Sequence, residues 1–166
     1  LLNAPGYDWT TREFEFGHVH ALPGTHADTA HDSLLRLIKA ARSRAIGWSV
    51  DRDSGPIELF FVDTREQLRE LTGSTRGGHV RPGERTAVML YNETFTPFLV
   101  HELTTLYTTA NWGLPASGPW LSTGLATMIG RYCHEHLSDI FRGQLEAGRM
   151  RGWPELVRDF DSIDYL

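Results

Sequence analysis

At 166 residues, with a formal charge of -5 and a pI near 5.9, the chain has room for one domain with a core. No block of Lys or Arg marks a nucleic-acid or anionic-membrane surface, so the expected partner is a peptide, a protein or a small molecule, and not nucleic acid. No run of eighteen apolar residues is present, so no membrane span is expected, and the lone Cys133 excludes an internal disulfide framework.

In chain order, "REFEFGHVHAL" (12 to 22) alternates Phe14 and Phe16 against Glu13 and Glu15, which predicts a strand with one buried face. His18 and His20 then share one side of that strand, as a two-ligand edge or as hydrogen-bonded or exposed histidines. Ala30, Leu34, Leu37, Ile38, Ala41 and Ala45 recur at three- and four-residue steps and predict a helix ending at Gly47. "IELFFV" (57 to 62) reads as a buried strand. Thr64, with Gln67 three residues on, predicts a capping box that opens the helix "REQLRELTG". "GSTRGGHVRPGER" (73 to 85) reads as a glycine-rich loop, and "TAVMLYN" (86 to 92) as another strand.

From Asn92 the pattern turns helical. Phe95, Phe98, Leu99, Leu103 and Leu106 form one stripe, with Pro97 expected in the first turn. "NWGLPASGP" (111 to 119) predicts a loop, and Ser122 is placed to cap a second helix through "GLATMIGRYCHEHL"; further helical stretches are expected at about 137 to 148 and 153 to 160. A strand-rich half followed by a helical half predicts an α+β fold in a single domain, 1 to 166. The chain opens at Leu1 rather than Met, so a longer N-terminus is expected.

The chemistry centres on "VHELTTLYTTANWG" (100 to 113). His101 and Glu102 form the first half of H-E-x-x-H, in which two histidines four apart bind zinc from one helix face and the intervening Glu acts as general base. Thr105 stands where the second histidine belongs. Downstream, "PWLSTGLA" (119 to 126) resembles the W-L-x-E-G-x-A segment of gluzincin metallopeptidases, whose Glu is the third zinc ligand; Thr123 stands in its place.

Together with "TAVMLYN", the approach "FTPFLVHEL" and the loop "NWG", these segments make the chain resemble the peptidase-MA-like group of gluzincins over residues 57 to 126. The resemblance implies a zincin-like fold, hydrolase ancestry and an extracytoplasmic location; such chains continue through another helix, so either the sequence is a fragment ending at Leu166 or the family's end is absent here. It also implies that His101 is a vestigial first ligand and Glu102 a vestigial general base. Threonine hydroxyls are poor zinc ligands at neutral pH. The expected protein is therefore a pseudoenzyme without cofactor, retaining peptide or protein binding in its cleft; the alternative is an active zinc-dependent hydrolase with a rearranged site around His101 and Glu102.

His79, in the glycine-rich loop before the strand that borders the cleft in such folds, is a candidate replacement ligand or cleft residue, the alternative being a solvated loop histidine. Trp120 is a second cleft candidate, though it serves packing equally well. Cys133, His134 and His136 point in different directions on a helix and lie too far past Thr123 to complete the site.

Overall fold

A computed structural model of the chain describes residues 1 to 46 and 55 to 112, together with Gly124, Ala126, Thr127, Ile129, Gly130, Glu146 and Gly148; for 110 to 112 it describes the backbone alone. Five strands and four helices run in the order β1 (Thr10–Phe14), β2 (Gly17–Ala21), α1 (His26–Thr29), α2 (His31–Ile46), β3 (Ile57–Val62), α3 (Arg65–Thr72), β4 (Gly78–Arg81), β5 (Thr86–Leu90) and α4 (Leu99–Trp112). A single 3-10 turn, Pro82–Glu84, joins β4 to β5. The fold is mixed α+β, as the element order predicted.

The strands form one sheet in the order β1-β2-β3-β5-β4, with β2, β3 and β5 parallel to one another and both outer strands antiparallel to their neighbours. Alternate side chains go to opposite faces. On one face Val19, Ala21, Ile57, Leu59, Phe61, Ala87 and Met89 pack with Leu34, Ile38, Ala41 and Ala45 of α2 and Leu99, Leu103 and Leu106 of α4. On the other, Phe60, Val62 and Val88 pack with Leu68 of α3, and Leu1, Trp9 and Leu71 flank them. Trp9 meets Phe60 edge-on with ring centroids 5.1 Å apart, so the segment before β1 lies along this second face.

Several expected elements take a different form. The segment 12 to 22 is not one strand: β1 and β2 form a hairpin turning at Glu15 and Phe16, with Phe14 paired to Gly17. Gly17 is required there, because a Cβ would collide with the backbone of Ile57 on β3. The helix expected from Ala30 is preceded by the single turn α1, and Leu37 is 39% exposed, on the flank of the buried stripe. The glycine-rich segment 73 to 85 contains strand β4 rather than loop throughout. The helix expected from Asn92 begins only at Leu99: Asn92 bridges Phe95 in a turn, and the Asn92 side-chain amide donates to Asp63 O at 2.7 Å. Pro97 therefore precedes the helix instead of lying in its first turn.

The helix α3 begins as its sequence demands. Gln67 N donates to Thr64 Oγ1 at 3.2 Å, and Thr64 N donates to Gln67 Oε1 at 3.1 Å, which satisfies two otherwise orphaned donors. Gly73 closes the helix in the left-handed region at φ 77°, its N–H donating to Arg69 O. Of the second predicted helix, Gly124, Ala126, Thr127, Ile129 and Gly130 are helical, with Ala126 and Ile129 buried; of the stretch expected at 137 to 148, Glu146 is helical and Gly148 lies in a turn, and the stretch at 153 to 160 lies outside the described residues. Among the described residues, no helix is long and apolar enough to cross a membrane.

Because α3 packs on the second face through Leu68, its cap matters to that face. Thr64→Ala should lower stability by about 1 kcal/mol, measured by urea denaturation, and Gln67→Ala added to it should cost less than the sum of the single changes, since the two residues serve one motif.

Candidate functional site

Helix α4 lies on the larger core and reaches the free edge of the sheet at β4. Its side chains divide by depth. Glu102, Leu103, Thr104, Leu106, Tyr107 and Thr108 are buried, whereas His101 and Thr105 are half-buried on one flank, as residues four apart on a helix should be. Apolar periodicity alone would not bury Glu102, which retains only 7% exposure.

What admits the carboxyl is an absence on the neighbouring strand. A Cβ built at Gly78 would overlap the Oε1, Cδ and Cγ of Glu102, and one at Gly77 would fall 2.5 Å from Phe95 Cζ and 3.0 Å from Phe98 Cε2. Phe95 and Phe98 stack edge to face with centroids 5.3 Å apart, walling the same corner. Glu102 is thus pressed against the backbone of the edge strand, within a largely apolar corner. Burial pushes its pKa up to about 7, from an ordinary value of 4.5. Burial also lowers the His101 pKa.

The Thr105 hydroxyl donates to the His101 carbonyl at 3.1 Å, and the Thr108 hydroxyl to the Thr104 carbonyl at 2.7 Å. Both threonines therefore bond their own helix one turn back. The Thr104 hydroxyl, fully buried, has no hydrogen-bond partner among the described residues. Thr123 and Trp120 lie outside the described residues, as do Cys133, His134 and His136.

His79 does not join His101. It lies in β4, paired with Val88 of β5, and Val88 belongs to the cluster under α3. Its neighbours follow the alternation: Val80 packs toward the larger core, and Arg81 Nη2 donates to Leu71 O at the end of α3. His79 therefore occupies the face opposite α4, and Gly78 is the residue that meets Glu102. The His79 pKa is lowered by burial and further by nearby Arg81.

His18 and His20 are hydrogen-bonded, to the same carboxylate. His18 Nδ1 lies 2.9 Å from Glu58 Oε1 and His20 Nε2 lies 2.6 Å from Glu58 Oε2. Glu58 escaped sequence reading because its role depends on the register of two strands nearly forty residues apart in the chain; its position opposite His18 is the only signal.

Whether the α4 corner suits a metal follows from the donors present. His101 is the one strong ligand on the flank of α4, the Thr105 hydroxyl is engaged with its own helix, and no group of three His, Cys, Asp or Glu residues among those described is arranged to hold an ion. The described residues do not fit zinc. No family model, curated protein or solved structure matches the chain.

Two outcomes follow from this geometry. A carboxyl whose pKa is raised on folding favours the folded state while protonated, so its contribution is fully present below about pH 4.5 and is lost as pH rises through about 7. Glu102→Gln should therefore remove a penalty on the order of 3 kcal/mol at pH 8 and little at pH 4, read as the difference between the two proteins in denaturant titrations across that range. Thr104→Val, which replaces the orphaned hydroxyl with a methyl of the same shape, should raise stability by about 1 kcal/mol; a loss of that size would show that the hydroxyl has a partner.

Proposed function

We propose that this chain is a zincin-like domain related to the peptidase-MA-like gluzincins, in which the zinc site has been lost and the cleft beside α4 binds an extended peptide or protein segment without cutting it. The single observation that carries the reading is the placement of Glu102: a carboxylate following a histidine, buried on a helix against the backbone of the sheet's edge strand at Gly78. In a hydrolytic zincin that position serves a base acting on metal-bound water.

The same geometry supports binding. Among the described residues strand β4 is paired on one side only, to β5, so its outer edge offers backbone donors and acceptors to an added strand. His101 and Thr105 are half-buried on the flank of α4, and Phe95 and Phe98 provide an apolar wall beside Gly77. A peptide strand laid along this edge would gain main-chain hydrogen bonds first and side-chain contacts second. Cleavage is not expected, because the Thr105 hydroxyl is committed to the His101 carbonyl and Thr123 replaces a carboxylate.

The reading is tested by restoring the ligands. The parent chain should hold substoichiometric zinc after dialysis, while Thr105→His combined with Thr123→Glu should bind zinc with an affinity higher by several orders of magnitude, measured by competition with a chromogenic chelator. Neither single change should suffice. Stoichiometric zinc in the parent, with chelator-sensitive peptide cleavage that Glu102→Ala abolishes, would establish an active hydrolase instead. A folded double variant that binds no better than the parent would remove the zincin assignment itself.

A further inference from the structure

On the face opposite α4, cross-strand pairing builds a second constellation. Thr11 of β1 is paired with His20 of β2, and His18 of β2 with Glu58 of β3. The Thr11 hydroxyl lies 2.9 Å from His20 Nδ1, the other ring nitrogen of His20 lies 2.6 Å from Glu58 Oε2, and Glu58 Oε1 lies 2.9 Å from His18 Nδ1. Hydroxyl, imidazole and carboxylate thus stand in line, with the carboxylate anchored at its far oxygen by a second imidazole.

We propose that Thr11 is an acyl-accepting nucleophile, activated by His20 and oriented through Glu58, acting on small esters. The site lies across the sheet from the cleft of α4 and is independent of any peptide binding there.

Three features suit the residues to these roles. The first is the tautomer. Burial lowers the His20 pKa despite the opposing hydrogen bond from Glu58. Burial works to raise that of Glu58, but the hydrogen bonds from His20 and His18 outweigh it and hold the carboxyl below its usual range. At neutral pH the ring is therefore neutral and the carboxylate charged, so the ring proton belongs on Nε2, donated to Glu58. That leaves the Nδ1 lone pair facing the Thr11 hydroxyl, as a general base requires.

The second is access with rigidity. Thr11 is exposed on an edge strand, whereas His20 is 1% exposed and stacked on Phe60 with centroids 4.2 Å apart. The nucleophile meets solvent while the base is fixed by packing.

The third is a donor for the developing oxyanion. In a hairpin closed by two residues the flanking pair is hydrogen-bonded and the pairs then alternate. Counting from Phe14 paired with Gly17, Thr11 and His20 form a non-hydrogen-bonded pair. Thr11 therefore turns its own N–H outward along the free edge of β1, next to its hydroxyl.

The reaction balances without a cofactor. Thr11 Oγ attacks the ester carbonyl carbon and its proton passes to His20 Nδ1; the tetrahedral adduct collapses, breaking the bond to the alcohol, which leaves with that proton. Water then attacks the Thr11 ester, gives a proton to Nδ1, and the carboxylic acid departs as the proton returns to Thr11 Oγ. The net change is ester plus water to acid plus alcohol.

The test uses the full chain and p-nitrophenyl acetate, with release of nitrophenolate followed optically and acetyl groups located by peptide mass mapping after an acid quench. Acetyl on Thr11 should exceed that on Thr10, its neighbour on the same strand, by at least about tenfold, a conservative share of what general-base assistance supplies. Thr11→Val, which leaves the buried His20 Nδ1 without its hydroxyl partner, should still fold, with a lowered melting temperature, and lose the Thr11-dependent release, whereas Thr11→Ser should keep both the release and the parental melting curve. His20→Gln should reduce acetylation of Thr11 by at least about tenfold. Equal acetylation of Thr10 and Thr11, or release by Thr11→Val at the parental rate, would show that the hydroxyl merely satisfies a buried histidine.

Discussion

The contact between α4 and the glycine pair at the edge of the sheet governs the arrangement of this molecule. Gly77 and Gly78 present bare backbone, and Phe95, Phe98 and Glu102 fill the space that side chains would have taken. The core beneath supplies the holding force, since Leu99, Leu103 and Leu106 bury themselves with α2 and the sheet. That apolar docking carries Glu102 into a place its charge disfavours. The cost is met by protonation, which is why its pKa rises to about 7. A charged carboxyl there carries a solvation penalty that the packing of α4 has to offset.

The threonines of α4 show how a helix accommodates polar residues. Thr105 and Thr108 each bond a carbonyl one turn back, so their hydroxyls need no partner across the cleft. A histidine at position 105 would be unable to make that bond and would project its ring beyond the helix backbone. Threonine at 105 is also the shorter side chain, and it leaves more room on the flank of α4 than a histidine would.

How legible this was depended on the range of the signal. The capping box at Thr64 and Gln67 is four residues long and was read from the sequence down to its hydrogen bonds. Strand β3 was bounded correctly from its apolar run. The hairpin of β1 and β2 was hidden because alternation from Glu13 to Phe16 runs on through its turn, and because Glu15 and Phe16 are not residues that mark turns. Strand β4 was hidden by its glycines, which ordinarily weaken strands; here close approach of α4 is the reason for them. The start of α4 was misjudged because Phe95 and Phe98 keep helical spacing while packing from a turn held by Asn92. At the candidate site the common helix of His101, Glu102 and Thr105 is legible from their spacing, but Gly78 is recognised only from what lies across from it.

Strand register decides the rest. Thr11, His20, Phe60, Val88 and His79 are successive partners across all five strands, one row on one face. A single residue of slip would exchange this row with the one beside it. His79 would then face α4, as its place in the sequence suggests, and Thr11 and His20 would turn toward the larger core. The pairing of β4 with β5 withholds His79 from His101, and the pairings of β1 with β2 and of β2 with β3 align Thr11, His20 and Glu58. The register itself is fixed at Gly17, where β2 passes too close to Ile57 for any side chain, and by the apolar residues on both faces of β3. Which chemistry each face is able to carry is therefore set by the core and by one glycine, before any polar residue makes a contact of its own.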